Sequence, residues 1–90
     1  MASIRIPMPL RKLTNEIDIV NSDAGTLGEA VEKLEADFPG IKERIVGDDG
    51  EIRRFVNIYV NGEDVRFLDN LGTVLKASDE VSIVPAVAGG

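Results

Sequence analysis

Only one stretch of this 90-residue chain keeps helical periodicity over several turns. Leu27, Ala30, Val31, Leu34 and Phe38 recur at helical spacing and share one face. Thr26 and Glu29 stand ahead of them in the T-x-x-E spacing of a capping box, and Pro39-Gly40 ends the run. Glu29, Glu32, Lys33 and Asp37 lie off the apolar face. Glu29 and Lys33 are four apart in the favourable order, a pairing worth ~0.3 kcal/mol. A single long helix covers one face of a sheet and no more, so the strands decide what surrounds it.

Ser3-Ile4-Arg5-Ile6 alternates and predicts a half-buried strand that Pro7 and Pro9 break. Glu16-Ile17-Asp18-Ile19-Val20 alternates again, and its nearness predicts an antiparallel hairpin with the first. Ile41 to Val46 reads as a short helical turn with Ile41 and Ile45 inward, and Gly47-Asp48-Asp49-Gly50 as a turn. Arg54 to Val60 is rich in β-formers, with Val56, Ile58 and Val60 on one face and Phe55, Asn57 and Tyr59 on the other. Asn61-Gly62 is a strong hairpin signal and predicts a partner strand through Asp64-Val65-Arg66-Phe67. Leu68 to Leu75 is irregular, and Val81-Ser82-Ile83-Val84 is the last strand. The order β-β-α-β-β-β excludes a ferredoxin-like fold, which needs two long helices, and a doubly wound fold, which needs repeated β-α units. It fits an α+β domain, a mixed sheet packed on one main helix.

Composition narrows function by what it lacks. With no Cys and no His, the chain can build no disulfide, no thiolate metal site and no Ser-His or Cys-His nucleophile. That points away from an enzyme acting alone. A net charge of −6 disfavours nucleic acid and anionic membrane and suits a partner with a basic docking surface. The N-terminus lacks the apolar core of a signal peptide, and no stretch approaches the ~18 apolar residues of a membrane span. We read the protein as cytoplasmic.

The chain ends Val-Pro-Ala-Val-Ala-Gly-Gly. Pro85 cannot donate a ladder hydrogen bond, so pairing is expected to fail there. The division expected is a domain over 1–84 and an extended arm over 85–90. The strand-helix order, the stretch RFVNIYVNGEDVRF and the ending VPAVAGG together resemble the ubiquitin-like sulfur-carrier family. That family includes the molybdopterin synthase small subunit and the thiamine-pathway carrier, and the resemblance is nearest to the carriers that serve cysteine biosynthesis in actinobacteria. It implies a ubiquitin-like β-grasp fold.

It also implies that an ATP-dependent activating enzyme adenylates Gly90 and that a sulfur donor then displaces AMP, leaving a thiocarboxylate. Val87, Ala88, Gly89 and Gly90 would enter the partner's active site, where glycines let channel walls close on the backbone. The carrier would bind no cofactor of its own. The acceptor implied is a pyridoxal-phosphate (PLP)-dependent cysteine synthase. The alternatives are the molybdopterin synthase large subunit as acceptor, a protein modifier joined to lysines through Gly90, and a plain β-grasp interaction domain.

Phe55 and Tyr59, opposite the expected core set, and Phe67 on the adjoining hairpin strand are a candidate docking surface. The competing expectation is that the loop from Pro7 to Asn15 folds over them, through Leu10 and Leu13, as a small second core.

Overall fold

The computed structural model describes residues 1–85. Five strands, β1 (Ala2–Arg5), β2 (Ile19–Ser22), β3 (Val56–Val60), β4 (Glu63–Asp64) and β5 (Glu80–Pro85), form one sheet in the order β2-β1-β5-β3-β4. β1 and β5 pair in parallel at its centre, and the other neighbours are antiparallel. Helix α1 (Leu27–Asp37) crosses one face, followed by the short α2 (Lys42–Ile45).

The helix starts where its cap dictates. The Thr26 side chain accepts the Glu29 backbone N–H at 3.2 Å, satisfying one of the orphan donors of the first turn. Glu29 does not pair with Lys33 as its spacing predicted. Its carboxylate accepts the Gly25 backbone N–H at 3.4 Å, and Lys33 reaches outward to Asp23. At the other end Glu35 accepts the backbone N–H groups of Gly40 and Lys42, tying α1 to α2. Those bonds hold the Glu35 carboxyl below its ordinary value, the Lys42 amide contributing most.

Leu27, Ala30, Val31 and Leu34 of α1 are buried in one core with Ile4, Ile58, Val60, Val81 and Ile83 of the sheet. Phe38, at the helix C-cap, is half-buried against it. Burial of one such Leu, Ile or Val side chain stabilises by roughly 1.5–3 kcal/mol. Ile41 and Ile45 close the core from α2, as their spacing predicted.

Three local expectations give way. β2 starts at Ile19, not Glu16, because Asn15 (φ 55°) and Glu16 (φ 66°) turn left-handed while Thr14 Oγ1 bonds the Ile17 carbonyl at 2.8 Å. Its inward residues are Val20 and Ser22, opposite Ile4 and Ala2, and Ile17 and Ile19 are exposed. β4 is only two residues long. Asn61 (φ 53°) and Gly62 (φ 85°) form the tight hairpin their dipeptide predicts, but Asp64 then caps a 3-10 turn, Val65–Phe67, by accepting the Arg66 backbone N–H. Finally, the ladder does not stop short of Pro85, which is registered opposite Val56 as the last residue of β5.

Candidate functional site

The parallel pairing of β1 with β5 decides where the site lies. Both strands run to the same end of the sheet, and there β5 reaches Pro85, the last described residue. β3 starts at this end, with Val56 opposite Pro85 and Phe55 just beyond. Residues 86–90, which include the candidate covalent position Gly90 and its neighbours Val87, Ala88 and Gly89, lie outside the described residues.

Among the described residues, no element covers the sheet face away from α1. One rung crosses all five strands on this face: Ile19, Arg5, Ser82, Tyr59 and Asp64. Ile19 and Val84 are exposed, and Tyr59 is half-buried. A shallow depression of about 330 Å³ lies toward the end where β5 begins, lined by Ser3, Arg5, Ile19 and Ser82 together with Asn61, Gly62, Glu80 and Val81.

Of the proposed docking aromatics, Phe55 is 60% and Phe67 83% exposed, and neither they nor Tyr59 belong to the core. The loop after β1 does not cover them. Leu10 is buried in the main core and Leu13 packs against it, so no second core forms. Phe67 does not stand on a hairpin strand, but in the 3-10 turn after β4. That turn is held beside β3 by Arg66, which donates to Asn57 Oδ1 at 2.6 Å and to the Val56 carbonyl at 2.8 Å.

Sequence reasoning missed the exposed apolar residues Ile17, Ile19 and Val84. Their alternation is visible in the sequence, but which face it serves depends on a pairing between distant strands.

No group of three or more potential metal ligands occurs among the described residues, and no helix there is long and apolar enough to cross a membrane. Asp79 stands at the far end, in the turn before β5. Its carboxylate accepts from the Asn61 side chain at 3.0 Å and the Lys76 backbone N–H at 2.8 Å, which hold it below its ordinary value. This joins the β3-β4 hairpin to the turn before β5 and offers no reactive group.

With this geometry in place, the known relatives are informative. The ThiS family model matches residues 4–90. The sulfur carrier protein CysO of Mycobacterium tuberculosis is 46% identical over 90 residues, covering 98% of this chain and 97% of the relative. The small archaeal modifier protein 3 of Haloferax volcanii is 41% identical over 68 residues, covering 76% of this chain and 73% of the relative. The crystal structure of the Amycolatopsis orientalis BexX/CysO complex contains a chain matching the whole of this one, and wholly matched by it, with a TM-score of 0.93 and 39% identity. The CysO-complex chain shares this fold over its whole length, and the chain belongs to the ThiS family of ubiquitin-like sulfur carriers, a carrier rather than an enzyme.

Proposed function

We propose that this chain carries sulfur as a thiocarboxylate on Gly90. The supporting observation is that the family match runs through residue 90, so the terminal Gly89-Gly90 pair falls inside the shared pattern. A carboxylate is a poor electrophile. Attack by Gly90 on ATP, at the active site of an activating enzyme, gives an acyl adenylate and releases pyrophosphate. Hydrosulfide then displaces AMP, and loss of a proton leaves the thiocarboxylate. A donor's persulfide sulfur would first give an acyl disulfide, which a second thiol cleaves to the thiocarboxylate, leaving the donor as a disulfide. ATP is bound and spent by the activating enzyme. The acceptor favoured by the similarity to CysO is a PLP-dependent cysteine synthase.

The carrier's own work is positioning. Five residues beyond Pro85 span at most about 18 Å. The partner's reactive centre therefore lies within that distance of the sheet end, and the carrier's body must rest against the partner's surface. The open face around Phe55 and Tyr59, with Phe67 beside it, supplies the apolar contact for this docking.

Incubation with the activating enzyme, ATP and sulfide should add the mass of one O→S exchange, mapped to Gly90. Sulfur gained by a chain lacking Gly90 would sink the reading. The archaeal modifier relative favours a second reading, in which the same adenylate acylates lysines of other proteins. Conjugates of higher mass in the native host, without free thiocarboxylate, would establish it. If the thiocarboxylate supplies a molybdopterin synthase large subunit and not a cysteine synthase, the carrier chemistry stands and only the acceptor changes.

A further inference from the structure

β4 is too short to finish the sheet. It pairs with Tyr59 and Val60 only, so no strand lies along the outer edge of β3 at Val56. The Asn61 N–H donates to the Glu80 carbonyl at 2.8 Å, continuing the β3-β5 register. An antiparallel ladder bonds alternate residues, so the odd-numbered residues of β3 face β5 and the Val56 carbonyl points to the outer edge.

There the Arg66 guanidinium takes the place of the missing strand. Its Nη2 donates to the Val56 carbonyl at 2.8 Å and to the Arg53 carbonyl at 3.2 Å. Its Nη1 donates to Asn57 Oδ1 at 2.6 Å. Acceptors on residues 53, 56 and 57 thus converge on one side chain. Phe55 lies inside that segment, and Phe67 follows Arg66 directly. The two exposed aromatics are therefore joined through one guanidinium. The Arg66 backbone N–H is itself held by Asp64 Oδ1 at 2.9 Å, which fixes the start of the turn.

We propose that Arg66 is a positioning residue for docking: it holds Phe55 and Phe67 in the arrangement that the activating enzyme recognises. This role rests on the reading of Gly90 as the adenylated group, a reaction that requires that enzyme. Val56 is registered opposite Pro85, so the clamp lies level with the root of the tail. Five tail residues span at most about 18 Å, so the surface that receives the tail also meets the ground around Val56. The guanidinium is spent inside the fold, and its part is geometric, not a charge offered to the partner. Aromatics held in place beforehand lose less freedom on binding. The planar fork reaches several acceptors at once, whereas lysine keeps the cation without that geometry. Arg66 lies outside the apolar core, so the change leaves the packing under α1 in place.

The test measures the Kd of the full chain for the activating enzyme of the same genome. Sulfur loading at saturating carrier is read by mass in the same samples, and thermal melts identify the variants folded at the assay temperature. Arg66→Lys should weaken binding about tenfold and change the saturated loading rate less than twofold. Arg66→Gln, which also removes the charge, should match Arg66→Lys within twofold. Arg54→Lys, at an exposed arginine with no side-chain hydrogen bond among the described residues, should shift Kd less than twofold. In a Phe55→Ala/Phe67→Ala background, adding Arg66→Lys should cost less than twofold more, because the clamp acts through the aromatics.

Four results would overturn the clamp: Kd of Arg66→Lys within twofold of wild type, a full tenfold loss in the background lacking both aromatics, a far larger loss for Gln than for Lys, or no measurable binding of the wild-type chain. Loading separates this role from the chemistry it serves. The expected Kd pattern without any thiocarboxylate refutes the carrier chemistry and keeps the clamp. Normal loading with Kd unchanged by Arg66→Lys keeps the chemistry and refutes the clamp.

Discussion

Two adjacent rungs of one sheet have opposite roles. Val20, Ile4, Val81 and Val60 are registered across four strands on the face under α1. One residue along, Ile19, Arg5, Ser82 and Tyr59 occupy the same four strands on the open face. The backbone is shared, and only the pleat separates them. The first rung is apolar throughout and three of its four residues are buried. The second mixes a cation, a hydroxyl and two partly or fully exposed apolar side chains. Apolar burial is thus concentrated on one side of the sheet, and the other side is left open among the described residues.

Substitutions can break that division, and the largest effect belongs to the helix-covered face. Leu34→Ala should lower unfolding free energy by about 2–5 kcal/mol in urea denaturation, because the cavity opens in the middle of the helix-sheet contact. A loss under about 1 kcal/mol would place Leu34 outside the core. Thr26→Ala should cost about 1 kcal/mol, the worth of the cap that accepts the Glu29 N–H.

Tyr59→Ala, on the open rung, should change stability by less than about 1 kcal/mol and weaken partner affinity about tenfold. A stability loss above about 2 kcal/mol would make Tyr59 packing and remove it from the docking surface.

The smallest effect is on acid stability. Asp79 is held low first by the Asn61 side chain and then by the Lys76 amide, and Glu35 by the Lys42 and Gly40 amides. A carboxylate whose folded pKa is depressed adds stability that is present above its unfolded pKa, near 4, and is lost as pH falls through the folded value. Stability should therefore fall below about pH 4, and Asp79→Asn should shallow that acid limb. With no His in the chain, the thermal midpoint should be nearly flat between about pH 6 and pH 8. A sharp change in that window would contradict this.

The same division explains what the sequence made legible. Helix α1 was readable because its signals are local: a cap at Thr26, a 3.6-residue period and a Pro39-Gly40 stop. The Asn61-Gly62 turn was readable for the same reason. The start of β2 was not, because the alternation of Ile17 and Ile19 is real but serves the open face. Pairing of Val20 with Ile4 sets that register, and left-handed Asn15 and Glu16 fix where the strand begins.

The end of β4 has a local signal in Asp64, a good cap that precedes the 3-10 turn. The parallel contact of β1 with β5 joins residues more than seventy positions apart, and no local pattern reports it. Gly90 could be read as a candidate because its proposed chemistry is terminal and needs no tertiary geometry.

The central claim is a covalent one, and intact-mass analysis of the protein isolated from its native host under sulfur-replete growth tests it most directly. The account expects a fraction heavier by one O→S exchange, with fragmentation placing the sulfur on Gly90 and alkylation capturing it as a thioester. Protein found only as unmodified carboxylate, or with sulfur on any other residue, would contradict it.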